Sequence, residues 1–161
     1  MESLEVARVR AVLDRLAREK EIAQNFFNRM ADTLEDVEKR RWFRRMGQDE
    51  KDQRKILVKH RKELCHDGAG LEGVLPPSNA HQTLASVTKD CGLGFVELLR
   101  LAARAAEDSR VFADRASDMV GDRSCRIFLK ILSEEGRSHR DELLAELRLE
   151  ERVAAAEIEA A

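Results

Sequence analysis

Apolar positions recur along this chain in alternating steps of three and four residues, the spacing of a helix seam. Over 4–31 the seam is Val9, Leu13, Leu16, Lys20, Ala23, Phe27 and Met30, and one member, Lys20, is charged. Over 34–65 it is Phe43, Met46, Glu50, Gln53, Leu57, His60 and Leu64, with Glu50 and Gln53 in the middle of the apolar face. Each run predicts a long helix. Thr33 and Asp36 resemble a capping box between them, and Gly68 and Gly70 end the second.

The stretch 66–94 breaks the pattern with Gly68, Gly70, Gly73, Pro76 and Pro77, a short helix over 79–91, then Gly92 and Gly94. It is too long for a hairpin turn. A third helix is predicted over 95–120, rich in alanine. Gly121-Asp122 makes a short turn with Asp122 as N-cap, and a fourth helix covers 123–149 or beyond. The tail, 150–161, is polar and alanine-rich and is expected to fray. The chain thus reads as one all-α domain: a hairpin over 4–65, a crossover over 66–94, a hairpin over 95–149 and a tail. That is a four-helix bundle of two antiparallel hairpins joined by one long connection.

The second hairpin echoes the first at an offset of 85, as 128 − 43 and 135 − 50 show. Phe43 maps to Phe128 and Glu50 to Glu135; Leu13, Phe27 and Ala31 map to Leu98, Phe112 and Ala116. The gapless match predicts an internal duplication. It also places Glu135 on the buried face of the fourth helix, beside Phe128 and Ile131.

Composition narrows the setting. Charged residues make up 37% of the chain, both signs are interspersed, and the formal net charge is −2, so nothing points to nucleic acid or an anionic membrane. No apolar run is long enough to span a bilayer. Met1-Glu2-Ser3-Leu4-Glu5 lacks the layout of a signal peptide. Three scattered cysteines imply no disulfide framework and suit a reducing cytoplasm.

These residues resemble the ferritin-like superfamily, in particular its rubrerythrin-type branch. The family pattern sets a Glu on each of two helices and Glu-x-x-His on each of the other two, all facing two metals. Phe43 and Phe128 stand seven residues before Glu50 and Glu135, as an aromatic does in such helices, and Ala23, Phe27 and Ala31 fit the first helix of a family hairpin. The resemblance implies a ferritin-like four-helix bundle that binds iron or another divalent metal and carries out redox or metal-handling work. The ligand pattern departs from the family. Lys20 and Ala105 stand at the first-helix glutamate positions, and the motifs read Glu50-x-x-Gln53 and Glu135-x-x-Ser138.

Two readings follow. In the first, Glu50, Glu135 and His139, with Glu107 or Glu21, form a reduced metal site. In the second, Lys20 replaces the metal charge as an internal counter-ion, Gln53 and Ser138 join the polar network, and the bundle is a metal-free structural or protein-interaction module. A lysine at a ligand position repels metal, and glutamine is a weak ligand beside histidine. No residue is assigned a catalytic role. A homodimer is the expected assembly on symmetry grounds, with an unidentified protein partner or redox donor. A zinc site from Cys65, His66, His81 and Cys91 is a minor candidate with no standard spacing.

Overall fold

Helix formation here starts from two aspartates. Asp36 accepts from the backbone N–H of Glu38 and Lys39 at 2.9 and 3.1 Å, and Asp122 accepts from that of Cys125 at 2.7 Å. Both satisfy donors that a helix start would otherwise leave unpaired. Thr33 does not share in this cap. Its Oγ1 closes the preceding helix instead, donating to the Met30 carbonyl at 2.8 Å. The computed structural model describes residues 4–64, 75–88 and 91–161. They form α1 (Leu4–Thr33), α2 (Val37–Leu64), α3 (Asn79–Ser86), α4 (Phe95–Met119) and α5 (Arg123–Ala160), with no strand among the described residues. The protein is an all-α helical bundle.

The two hairpins repeat each other closely. An arginine clamps each turn: Arg40 donates to the Leu34 carbonyl at 2.7 and 3.1 Å, and Arg126 to the Val120 carbonyl at 3.0 and 3.2 Å. The two clamps, their acceptors and the two capping aspartates are each 86 residues apart (126 − 40, 120 − 34, 122 − 36). Burial repeats at the same offset. Leu13 and Leu99, Leu16 and Ala102, Phe43 and Leu129, Met46 and Leu132, and Leu57 and Leu143 are buried pairs.

The structural register is therefore 86, not the 85 that matched phenylalanines and glutamates suggest. One residue is about 100° around a helix, so the correction rotates α5. Ile131 is 52% exposed and Glu135 is exposed, while Leu129, Leu132, Gly136 and His139 face inward. The expectation that Glu135 lies on the buried face is overturned. α5 continues beyond Leu149 to Ala160, because Ala and Glu dominate 150–161 and are strong helix formers.

α1 packs along α2, and α4 along α5, as antiparallel pairs; α3 lies against α1 and α4. Across the bundle α1 runs antiparallel to α4, since Glu5 near the start of α1 accepts from the Gly121 N–H after α4. α2 runs antiparallel to α5 and meets it through Lys39–Glu150 and Arg45–Glu142 ion pairs, a His60 ring stacked on Phe128, and His139 against Asp49 and Glu50. α3 is capped by Ser78, whose Oγ accepts from the His81 N–H. Arg29 of α1 holds the far end of α3 by donating to the Leu84 carbonyl at 3.1 Å.

Two apolar clusters make the core. One gathers Phe26, Phe27, Phe43, Leu84, Leu99 and Leu143; the other gathers Leu13, Leu16, Leu57, Leu129 and Leu132. Each such side chain stabilises the fold by about 1.5–3 kcal/mol on burial. A charged layer separates them. Among the described residues no helix is long and apolar enough to cross a membrane.

Candidate functional site

The charged layer holds two networks. In the first, Glu50 of α2 is 5% exposed and meets two partners. Lys20 Nζ from α1 lies 3.1 Å from Glu50 Oε2, and His139 Nδ1 from α5 lies 2.9 Å from Glu50 Oε1. The other His139 nitrogen, Nε2, reaches Asp49 Oδ2 at 3.3 Å. Burial alone would raise the Glu50 carboxyl, but the Lys20 charge and the His139 hydrogen bond outweigh it and lower it to about 2. Burial works to lower the His139 imidazole, yet the hydrogen bond and charge of Glu50 prevail and raise it. A buried carboxylate beside an ammonium and hydrogen-bonded to an imidazole can stay ionised at neutral pH.

The second network surrounds Glu19, which is fully buried. Glu19 Oε2 accepts from the Ser78 backbone N–H at 2.8 Å, and Oε1 accepts from Ser109 Oγ at 2.9 Å. His81, from α3, lies between the two serines, with Nδ1 2.7 Å from Ser78 Oγ and Nε2 3.3 Å from Ser109 Oγ. Ser109 donates to Glu19, so its oxygen is free to accept from His81 Nε2–H. His81 Nδ1 also lies 3.3 Å from Glu19 Oε2, and Arg15 Nε 3.4 Å from the same oxygen. Burial pushes His81 below its ordinary pKa, against the pull of Glu19 and Glu50. Between the two networks is a cavity of about 20 Å³, reached by Lys20, Glu50, His81, Ser109 and His139. Alanines 102, 105 and 106 and Gly136 leave the space. A Cβ on Gly136 would come 3.3 Å from the Arg110 Cβ, so glycine permits the close approach of α5 to α4.

A solved structure shares this architecture. The chain is similar to a hypothetical protein from Pyrococcus furiosus, at a TM-score of 0.72 and 20% identity, over 88% of this chain and 89% of that one. At that identity the likeness speaks to the fold alone. No protein-family model and no curated protein matches the chain.

The sequence candidates divide. Lys20, Glu50 and His139 come together. Glu135 and Ser138 are exposed, on the face of α5 that borders a cleft to α2. Glu107 is held by Arg110 at 2.6 and 2.9 Å and by Arg140 at 2.6 Å, and these bonds, Arg110 first, lower it to about 2. Glu21 faces Arg18 at 3.5 Å, away from the centre. Gln53 is buried, but among the described residues its Oε1 has no hydrogen-bond partner and it does not join the Glu50 network. The metal set Glu50, Glu135, His139, Glu107 and Glu21 is therefore not assembled, and among the described residues no three His, Cys, Asp or Glu side chains converge as a metal-holding group. Of the zinc candidates, Cys65 and His66 lie outside the described residues, His81 is committed to the Glu19 network, and Cys91 is exposed.

Glu19, Ser78 and Ser109 are the residues that sequence reasoning missed. A signal was present. Leu16, Glu19, Ala23, Phe26 and Met30 form a second ladder of threes and fours, and every member is buried. The buried stripe of α1 is two residues wide, and it carries Glu19 and Lys20 side by side.

Beside this layer, between α2 and α5, lies a cleft of about 670 Å³. Asp49, Asp52, Gln53 and Ile56 line it from α2, and Ile131, Glu134, Glu135 and Ser138 from α5, with His139 and Lys130 also at its walls.

Proposed function

We propose that this chain is a ferritin-like bundle in which an internal ion network stands in for a di-metal centre, and that it works as a metal-independent binding or scaffolding module. One observation carries the reading: both Glu50 oxygens are engaged, by Lys20 and by His139. In the 86-residue register Glu50 pairs with Gly136 and Gln53 with His139 (136 − 50 and 139 − 53). Of two Glu-x-x-His motifs, one thus keeps the glutamate and the other the histidine. The survivors bond to each other, and the Lys20 ammonium supplies the positive charge that a metal would bring.

The residues do not fit a di-metal centre. Glu135, Glu107 and Glu21 are spent elsewhere or face solvent. An ammonium 3.1 Å from Glu50 would repel a cation arriving there. The reduced-site reading, with iron held by these carboxylates, has the weaker support. A homodimer in a reducing cytoplasm is the proposed setting.

Thermal unfolding with and without metal tests this. Neither a strong chelator nor anaerobic ferrous iron should move Tm, because a ligand that binds only the native state would raise it. A rise of several degrees on adding iron, abolished by Glu50→Ala, would favour the metal-binding reading.

A further inference from the structure

The cavity of about 20 Å³ between the two networks lies inside the core. Every residue around it is buried except half-buried Ala106. Phe27, Leu84 and Leu143 make its apolar walls. Its polar lining is Lys20, Glu50, His81, Ser109 and His139, none more than 6% exposed. Five polar side chains from five helices thus meet around one small space.

The hydrogen-bonding capacity of that lining is only partly used. An ammonium carries three N–H groups. Among the described residues Glu50 is the one polar partner of the Lys20 ammonium, at 3.1 Å. Two N–H groups of a side chain 4% exposed therefore look for acceptors, and buried donors are nearly always bonded. Spare acceptors line the same cavity. Each Glu50 oxygen holds one donor, Lys20 on Oε2 and His139 on Oε1. Ser109 Oγ accepts from His81 and keeps a second lone pair. What fits must accept from an ammonium and donate to a carboxylate. A single water needs about 10–15 Å³ and two to four polar partners, and this cavity provides both. An ion fits worse, because Lys20 repels a cation and Glu50 an anion.

We propose that this cavity binds one water molecule, which accepts from Lys20, donates to Glu50 and to Ser109 Oγ, and so joins the Glu50 and Glu19 networks into one. The site rests on the metal-free reading of the centre, since it takes Lys20 as the resident cation.

Water–protein NOE spectroscopy on the full chain tests it, beside elemental analysis of the same sample and two variants at Ala105, which lines the cavity from α4. Thr and Val have the same shape, so any overpacking is common to Ala105→Thr and Ala105→Val. The Thr hydroxyl can take over the bonds of the water; the Val methyl expels it and leaves the Lys20 N–H unpaired. Cross-peaks of long-lived water to the Ala102 methyl protons are expected in the parent and should vanish in Ala105→Thr. Ala105→Thr should also unfold at a higher urea concentration than Ala105→Val. A cross-peak that persists in Ala105→Thr would be relayed by exchange from the Lys20 ammonium and would overturn the proposal. So would Ala105→Val proving the more stable of the two, which marks a dry cavity. A metal-free sample without the cross-peak would overturn the water site and leave the metal-free reading standing. Stoichiometric metal in place of the cross-peak would overturn both.

Discussion

Lys20 Nζ lies 3.1 Å from Glu50 Oε2, and the two residues are 4% and 5% exposed. Removing one member of such a pair leaves a buried charge without its partner. Lys20→Met should therefore cost about 3 kcal/mol or more. Lys20→Met combined with Glu50→Met replaces both charges by apolar groups of similar bulk and should recover much of that loss. Urea unfolding of the two single variants and the double variant supplies the cycle. Additive losses would show that the two charges do not interact.

Glu50 titrates near 2 in the folded protein against an ordinary value of 4.5. A carboxyl whose folded pKa is depressed contributes stability above its unfolded pKa and loses it as pH falls through the folded value. Stability should thus decline from about pH 5 toward pH 2, with this group accounting for about 3 kcal/mol of the fall. Glu50→Gln should flatten the decline over that window when unfolding is followed against pH. An unchanged acid limb would rule out Glu50 as the cause.

His139 and His81 should titrate on opposite sides of the ordinary histidine value of 6.5. The raised His139 contributes stability that is full below 6.5 and is lost as pH rises through its folded pKa. The lowered His81 contributes stability that is full above 6.5 and is lost as pH falls toward its folded pKa. Imidazole resonances followed by NMR separate the two. In Glu50→Gln the His139 value should drop, since burial is then opposed by less. Two histidines titrating together near 6.5 would contradict the described networks.

Glu19 holds the crossover to the bundle by accepting from the Ser78 N–H and Ser109 Oγ. Glu19→Ala orphans both donors and should cost about 2–4 kcal/mol. It should also speed amide exchange at Ser78 relative to the hairpin turns. Exchange at Ser78 unchanged from the parent would mean that α3 is held by Leu84 and Val87 packing alone.

The helices were legible because their seams are regular. Val9 through Met30 and Phe43 through Leu57 sit at steps of three and four, and each is buried. α5 misled because it has two apolar stripes. Ile127 and Ile131 lead to Glu135 on a face that borders the cleft, while Leu129, Leu132, Gly136 and His139 make the face that enters the core. Periodicity reports that a face is apolar, not which neighbour covers it. The identities at 85 favoured the wrong stripe, and the one-residue slip moved the expected glutamate out of the centre. Lys20, Glu50 and His139 were legible as exceptions to their surroundings. Glu19 was not, because a second polar residue beside Lys20 looks like the start of a solvated face until α3 is seen to cover it.

The most direct measurement is elemental analysis of protein purified without chelators or affinity metals, followed by anaerobic titration with ferrous iron. With Lys20 as the central cation, the protein should carry no stoichiometric metal and bind no iron on titration. About one or two metals per chain, as in a carboxylate-bridged centre, lost in Glu50→Ala, would contradict the account and return the centre to metal chemistry.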